Sequence, residues 1–296
     1  MASGGPSGRV VVVGSLNLDI GLVVDRLPRP GETVLTRARQ DGPGGKGLNQ
    51  AVAAARAGAP TSMVGSVGDD AAGRALLDAL IEAAVDVTDV LINSEVATGT
   101  AVVAVDRAGS NQILVVPGAN GSVDGQRAQS MSFGPGDVVV AQGEIPLAST
   151  LTFFQQARRA GARTILNLAP FHAPPAGLLE ATSVLVVNET ELIDLVSSLG
   201  MLEADSVDGS IVATTARELV DRGVDAVVVT LGGAGMVAIT AEGVLAEPAR
   251  SVRAVDTTGA GDAVVGVLAA ELAIGADLVS AMATRAEIDA TGSAQR

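Results

Sequence analysis

Residues 256–262 read Asp-Thr-Thr-Gly-Ala-Gly-Asp and lead directly into an apolar segment, Ala263 to Ile274. The apolar segment predicts a buried helix, and the glycines before it allow backbone N–H groups to turn toward one point at its start. Such a start favours an anion, for instance the terminal phosphate of a nucleotide. Asp262 would then lie beside the transferred group and could take the proton of an attacking hydroxyl. An ordinary helix start also favours Gly and Asp, so the glycines and the carboxylate are equally well explained without a ligand.

Outward from this stretch, strand-like and helix-like segments alternate, which is typical of an α/β protein with a mostly parallel sheet. The predicted strands cover residues 9–13, 62–67, 138–141, 164–167, 184–187 and 226–230, with two more short strands near 236–239 and 244–247. The predicted helices cover an alanine-rich segment from 44–47 to about 57, and then 71–84, 148–159, 189–198 and 210–222.

Two segments break the alternation with hairpin-like patterns. Residues 20–43 hold short apolar pieces interrupted by prolines, and residues 98–118 hold two strand-like runs about a turn at 106–109. We expect these segments to form a small β lid over the carboxyl edge of the main sheet. The lid is inserted in a single α/β domain spanning 9–290, and residues 1–8 are expected to be a disordered tail.

Two further motifs carry polar groups at places where α/β proteins bind ligands. Gly-Ser-Leu-Asn-Leu-Asp at 14–19 follows the first strand, and Gly-Gly-Lys-Gly-Leu-Asn-Gln-Ala at 44–51 opens the first helix. Their carboxylate, amides and ammonium suit the hydroxyls of a sugar. An Asx turn explains the first motif, and a flexible turn the second, without any ligand. The second motif is not a P-loop, because Lys46 precedes Gly rather than Ser or Thr.

Together and in this order, the three motifs resemble those of the ribokinase-like (PfkB) carbohydrate kinases, over roughly residues 9–275. The resemblance is closest to the members that phosphorylate ribose. It implies a three-layer α/β fold, with a mostly parallel central sheet flanked by helices and a small β-sheet lid. It also implies an ATP-dependent phosphotransferase whose acceptor is the 5-hydroxyl of a pentose, D-ribose first among them. Deoxyribose, a nucleoside or another furanose are the related acceptors. Mg²⁺, K⁺ as a monovalent activator and a homodimer formed through the lid are implied as well.

The resemblance assigns roles to individual residues. Asp262 is implied to be the catalytic base, and the anion hole is implied to consist of Gly259, Ala260 and Gly261. The residues implied to contact the sugar are Asn17, Asp19, Gly45, Lys46, Asn49, Glu144 and Asp262. The residues implied to bind ATP are Asn188, Thr230, Gly232, Gly233, Gly235 and Gly261. The residues implied to bind the monovalent cation are Asp256 and Thr258.

Simpler explanations exist for three of these assignments. Glu144 as an isolated residue would more often be a solvated loop carboxylate. Asn188 is a good N-cap for a helix that starts at the next residue. The glycines at 232–235 can form a hairpin turn and nothing more.

Composition excludes several other functions. The formal net charge of −14 argues against a nucleic-acid partner, since no cluster of basic residues is present to displace counterions. Without cysteine there is no disulfide and no thiol nucleophile, and the presence of a single histidine argues against a Ser-His-Asp triad. The apolar runs are too short to cross a membrane, and no secretory signal pattern is present, so we expect a cytoplasmic protein.

The sequence departs from the family after the apolar segment that ends at Ile274. Residues 275–296 follow it, and within them residues 280–289 resemble the family's last segment, as though an intervening stretch were missing. This departure bears on the adenine and cation side of the site. Ala263-Val264 also stands where Thr-Phe is usual. A catalytically weak family member that binds sugar is therefore the second hypothesis. A Rossmann dehydrogenase is the third hypothesis. It would require a Gly-x-Gly-x-x-Gly motif directly after the first strand, and this sequence has none there.

Overall fold

The computed structural model describes residues 8–201, 209–249 and 259–283. Their core is a nine-stranded sheet with helices on both faces. The strands of the described residues are β1 Val10–Val13, β2 Asn17–Val24, β3 Thr36–Gly44, β4 Thr61–Gly68, β5 Asp86–Asn93, β6 Gly99–Val105, β7 Asn111–Val116, β8 Val138–Gln142, β9 Arg163–Asn167, β10 Val184–Asn188, β11 Ala226–Thr230, β12 Met236–Thr240 and β13 Gly243–Glu247. The α-helices are α1 Lys46–Arg56, α2 Ala71–Glu82, α3 Leu147–Arg159, α4 Glu189–Ser198, α5 Gly209–Asp221 and α6 Ala260–Ala273.

The main sheet has the order β13-β12-β11-β10-β9-β8-β1-β4-β5. All pairs are parallel except those of β12 and β13, which form an antiparallel edge. The mostly parallel sheet predicted from the alternation of strands and helices is confirmed.

The sheet is covered on both faces because its central strands are apolar at every position. Val10 and Val12 face a core shared with α1, α2 and α6. Val11 and Val13 face a second core shared with α3, α4 and α5. All four valines are 0% exposed, as expected for a parallel strand between two helical layers. None of the helices in the described part of the chain is both long and apolar enough to cross a bilayer.

A separate four-stranded sheet has the order β3-β2-β6-β7. Strand β2 pairs antiparallel with β3 and parallel with β6, and β6 forms a hairpin with β7. In the β6–β7 turn, Asp106 Oδ1 accepts hydrogen bonds from the backbone N–H groups of Ala108 and Ser110, both at 2.9 Å. Both hairpins are confirmed. Strand β2 begins at Asn17, three residues before the predicted segment, because Asn17 pairs with both Gly44 and Gly99.

Strand β5 and Gly8 also differ from the sequence-based expectation. Strand β5 was not predicted, because this edge strand has no fully buried residue and Asp86, Thr88 and Asp89 interrupt its apolar residues. Gly8 was expected to lie in the tail, but it is buried and donates its N–H to the carbonyl of Ala273 at 2.9 Å. Residues 1–7 lie outside the described residues.

Candidate active site

The polar motifs meet at the carboxyl ends of the central strands. Ser15 and Asn17 follow β1, and Glu144 follows β8. Glu144 Oε2 accepts hydrogen bonds from Ser15 Oγ at 2.5 Å, from the backbone N–H of Lys46 at 3.2 Å and from Asn17 Nδ2 at 3.4 Å. The carboxylate therefore ties the end of β1 to the start of α1, which an isolated solvated loop residue would not do.

Close backbone contacts hold the start of α1 against the end of β1. Gly45, the N-cap of α1, has φ 92°, and a Cβ there would come within 2.8 Å of the backbone nitrogen of Asn17. A Cβ at Gly47 would come within 2.5 Å of the backbone nitrogen of Ser15. Only glycine satisfies both the left-handed backbone at Gly45 and the contact at Gly47. The glycines of this motif thus hold the start of α1, with Lys46, against the segment from Ser15 to Asn17.

Asp262 lies in the first turn of α6 and is 6% exposed. Its Oδ2 accepts a hydrogen bond from Asn49 Nδ2 at 3.1 Å, and its Oδ1 accepts one from Gln50 Nε2 at 3.0 Å. Lys46 Nζ lies 4.0 Å from Oδ1. A nearly buried carboxylate, two neutral amides and one ammonium therefore share this point of the molecule.

The N-terminus of α6 is open above Asp262. Gly259, the N-cap, has φ 77°, and Ala260 and Gly261 are exposed. A Cβ at Gly261 would meet no atom within 4 Å. The first intrahelical hydrogen bond in this turn runs from Ala263 to the carbonyl of Gly259, so the N–H groups before it have no acceptor within the helix. Such a helix start fits the terminal phosphate of a nucleotide.

Several carboxylates of the site lie near the ammonium of Lys46 and near one another. Burial, then the charges of Glu144 and Asp262, raise the pKa of Asp19 to about 6. Burial raises the pKa of Glu191, with Asp262 contributing and Lys46 opposing. These couplings place both carboxylates within electrostatic reach of Asp262. Among residues 8–201, 209–249 and 259–283, no group of three or more His, Asp or Glu side chains is arranged to hold a metal ion.

The sequence profile of the pfkB family carbohydrate kinases matches residues 7–284. The chain belongs to this family. It is an enzyme that transfers a phosphoryl group to an alcohol acceptor, as the earlier resemblance implied.

Individual relatives agree with the family profile. The chain is 38% identical to the ribokinase of Mus musculus over 271 residues, which are 89% of this chain and 81% of that protein. It is 34% identical over 272 residues to the bifunctional ribokinase/ribose-5-phosphate isomerase A of Fructilactobacillus sanfranciscensis, and it spans only 49% of that longer protein. The solved structure of Arabidopsis thaliana ribokinase complexed with ribose and ATP superposes with a TM-score of 0.85 at 28% identity, covering 98% of this chain and 94% of that one.

The residues expected on the nucleotide side lie on neighbouring strand ends. Asn188 and Thr230 are register partners at the ends of β10 and β11. Asn188 Oδ1 accepts the N–H of Glu191 at 2.8 Å, and Glu191 Oε2 accepts the N–H of Asn188 at 2.9 Å, so Asn188 is an N-cap within a capping box. Thr230 donates its hydroxyl to the carbonyl of Val187 at 3.4 Å.

The glycines that follow Thr230 form the connection from β11 to β12. Residues 232–234 make a 3₁₀ turn, and Gly232 and Gly235 have φ 53° and 101°. A Cβ at Gly233 would meet no atom within 4 Å, so the loop is open on that side. The turn geometry explains the glycines, and the loop lies at the carboxyl edge where nucleotides bind in α/β proteins. Asp256 and Thr258, expected at a monovalent cation, lie outside the described residues.

Two buried residues of the site were not singled out from the sequence. Asn120 is 1% exposed, and its side chain bonds the N–H of Leu16 at 2.8 Å, the carbonyl of Leu16 at 3.2 Å and Asn17 Oδ1 at 2.8 Å. Gln50 contacts Asp262 directly. Gln50 was within reach of pattern analysis because it lies four residues after Lys46, on the same face of α1. Asn120 lies in a short 3₁₀ helix, Gly118–Ser122, and no periodic pattern in the sequence points to it.

Proposed function

We propose that this family member transfers the γ-phosphate of Mg-ATP to the 5-hydroxyl of a pentose, D-ribose first among them. The observation that carries the proposal is the position of Asp262. Its carboxylate lies at the open start of α6 and is bonded to Asn49 of the polar cluster that also holds Asn17, Lys46 and Glu144. A hydroxyl bound to that cluster would reach the carboxylate and the helix start together.

In this proposal Asp262 takes the proton of the attacking hydroxyl as the oxygen approaches the phosphorus. Mg-ATP supplies the transferred group and, through its metal ion, neutralises part of the phosphate charge. The N–H groups of Gly259 to Gly261 stabilise the charge that develops on the phosphoryl oxygens. Lys46, held 4.0 Å from Asp262, adds a positive charge at the same point.

Sugar binding in the proposal falls to residues on both sheets. Asn17 and Asp19 lie on β2, which belongs to the four-stranded sheet, whereas Glu144 follows β8 of the main sheet. A sugar bound at these side chains would be covered by the four-stranded sheet, which would exclude water from the reacting atoms. The four-stranded sheet therefore acts as a lid in this proposal.

The lid also carries the surface that we propose for homodimerisation. Strand β7 is the outer strand of its sheet, and Ile113, Leu114 and Val116 on it are 55%, 70% and 60% exposed. An outer strand with apolar side chains and unpaired backbone groups is suited to pairing with a second copy. Measurement of the molar mass in solution tests this part, and a monomer at micromolar concentration contradicts it.

Two further parts of the proposal concern the cation and the location. Asp256 and Thr258 are proposed to contribute to a monovalent cation site occupied by K⁺. Turnover that is unchanged when K⁺ is replaced by a large organic cation contradicts it. A cytoplasmic location is proposed with the ATP-dependent reaction, since ATP is abundant there.

The direct experiment is an assay of the purified protein with ATP, Mg²⁺ and K⁺ over a panel of pentoses. The expected result is phosphate transfer with D-ribose as the preferred acceptor. Preference for 2-deoxyribose, a nucleoside or another furanose would change the acceptor and keep the reaction, since few side chains decide such preferences. Ribose that binds by calorimetry with no phosphate transferred to any acceptor would instead establish the sugar-binding alternative.

A further inference from the structure

A chain of buried amides connects the central sheet to the carboxylate of Asp262. Gln50 is 0% exposed, and its Nε2 donates to Asp262 Oδ1 and to Asn167 Oδ1, both at 3.0 Å. Its Oε1 accepts from Gln142 Nε2 at 2.7 Å. We propose that Gln50 is a positioning residue for Asp262, an inference that rests on the proposed role of Asp262 as the base.

The neighbours of Gln50 dictate the orientation of its amide. Asn167 Nδ2 donates to the carbonyl of Val186 at 3.2 Å, so the oxygen of Asn167 is the atom left to face Gln50. Asp262 likewise presents an oxygen. With its amide reversed, Gln50 would place its own oxygen against both of these acceptors, a buried contact without compensation. The arrangement with both N–H groups of Gln50 donating is therefore the stable one.

The outer end of the chain of amides is anchored in the sheet. Gln142 and Asn167 are register partners at the ends of β8 and β9. Gln142 is 0% exposed, and its Oε1 has no hydrogen-bond partner among the described residues. Within this series of buried amides, Gln142 therefore acts as the donor to Gln50. Gln142 on β8 and Asn167 on β9 both bond Gln50, which bonds Asp262, so the position of Asp262 is fixed relative to two strands of the sheet.

The helices are packed closely enough for this contact. Gly266 lies one turn after Asp262 on the same face of α6, and it faces α1. A Cβ at residue 266 would come within 2.5 Å of both Ala53 Cβ and the carbonyl oxygen of Gln50. Glycine thus permits the backbone of α6 to approach α1, and one turn earlier the side chain of Gln50 reaches Asp262.

Two neutral donors hold the two oxygens of the carboxylate. Gln50 takes Oδ1 and Asn49 takes Oδ2, and an ionised carboxylate has about four acceptor sites in all. One site on each oxygen remains for the proton of the attacking hydroxyl. Because amides donate without giving up a proton, they orient the base and leave it able to act.

The test begins with Gln50→Met, which keeps the length and volume of the side chain and removes both donors. The expected result is a kcat for pentose phosphorylation that is lower by about 10- to 100-fold, since small misplacements of a catalytic group have effects of this size. The KM values for pentose and ATP are expected to stay within about threefold, because Gln50 touches neither substrate in the proposal.

A matched control separates positioning from loss of stability. Thr164 is 0% exposed on β9, at the opposite end of that strand from Asn167. Its hydroxyl donates to the carbonyl of Ala181 at 2.6 Å and accepts the N–H of Ser183 at 2.8 Å. Thr164→Val removes buried hydrogen bonds far from Asp262. It is expected to lower the melting temperature and leave kcat unchanged.

Gln50→Glu supplies a measurement that a merely structural role would not affect. This substitution places a second carboxylate about 3.0 Å from Asp262 Oδ1, where the amide of Gln50 now lies. Two carboxylates at such a short distance share a proton. The acid limb of the pH profile of kcat is expected to move to higher pH by about one unit or more. Gln50→Glu keeps the acceptor for Gln142, so it decides the question if Gln50→Met does not fold.

The outcomes distinguish this inference from the proposed function. A wild-type protein that phosphorylates no pentose overturns the proposed function and the positioning role with it. A wild-type protein that is active, together with a Gln50→Met variant whose kcat stays within about threefold, overturns the positioning role alone. So does an acid limb that Gln50→Glu leaves in place, or a fall in kcat that Thr164→Val reproduces.

Discussion

Gly44 lies directly against the carboxylate of Asp19, so closely that a Cβ at residue 44 would overlap both carboxylate oxygens. Gly44 pairs with Asn17 across the β2–β3 hairpin, so Asp19, two residues along β2, is its diagonal neighbour and extends its side chain over the glycine. The second glycine motif starts at this contact. The glycine at position 44 is therefore explained by the space that Asp19 occupies. Asp19 is in turn held where a sugar is proposed to bind.

Gly44→Ala is expected to displace the Asp19 carboxylate and weaken pentose binding by about tenfold or more, a loss of about 1.4 kcal/mol. Calorimetric titration of D-ribose measures the effect. Gly42→Ala is the matched control, because it lies two residues away on the same strand and a Cβ there meets no atom within 4 Å. Equal ribose affinities in the two variants would contradict the account of Gly44.

Asp19 makes the stability of the fold depend on pH in a defined direction. Its pKa is about 6 in the folded protein, against 3.8 for an ordinary aspartate, so between these values the folded state binds more protons than the unfolded state. The free energy of unfolding therefore falls as pH rises through this window. Asp19→Asn removes this loss. The melting temperature of the variant minus that of wild type is therefore expected to increase from about pH 4 to 6 and to stay constant above that.

Asp41 on β3 provides the control for that titration. The hydrogen bond from Arg39 holds the pKa of Asp41 below its usual value, so its contribution is lost only at more acid pH. Asp41→Asn is expected to change the melting temperature by an amount that is constant above about pH 4.5. A difference between Asp19→Asn and wild type that is equally flat would show that Asp19 does not titrate in this window.

Asn188 has two roles to separate, the N-cap seen in the structure and the proposed contact with ATP. Asn188→Ala is expected to cost about 1 kcal/mol of stability, whereas Asn188→Ser keeps a cap oxygen and retains most of it. Because serine lacks the amide N–H groups, the KM for ATP is expected to rise in both variants. A wild-type KM for ATP in Asn188→Ser would show that Asn188 acts only as the N-cap of α4 and does not contact ATP.

The parts of the fold that sequence patterns predicted well are those governed by local chemistry. Buried β-branched runs such as 226–230 and helix starts with a cap such as Asn188 have the predicted bounds. Helix α6 starts at Ala260, three residues before its apolar run, because the turn that holds Asp262 is already helical. Strand β5 escaped prediction since edge strands pack on one side and need no apolar alternation.

The site residues divide in the same way. Asp262, Lys46 and Asn17 stand in motifs whose spacing brings functional groups to strand and helix ends. Asn120 acts through tertiary hydrogen bonds to residues about a hundred positions away, 104 in the case of Leu16, and no local pattern encodes such a partner. Its amide orients Asn17, so part of the geometry of the proposed sugar site is decided by a residue that is recognised only in the folded chain.

The central claim is that Asp262 is the base for phosphoryl transfer, and Asp262→Ala tests it most directly. The measurement is single-turnover phosphorylation of D-ribose by the variant, alongside ribose binding by calorimetry. We predict that transfer falls by about a thousandfold or more while ribose affinity stays within about threefold. Transfer within about tenfold of wild type, a barrier change of only about 1.4 kcal/mol, would contradict the assignment.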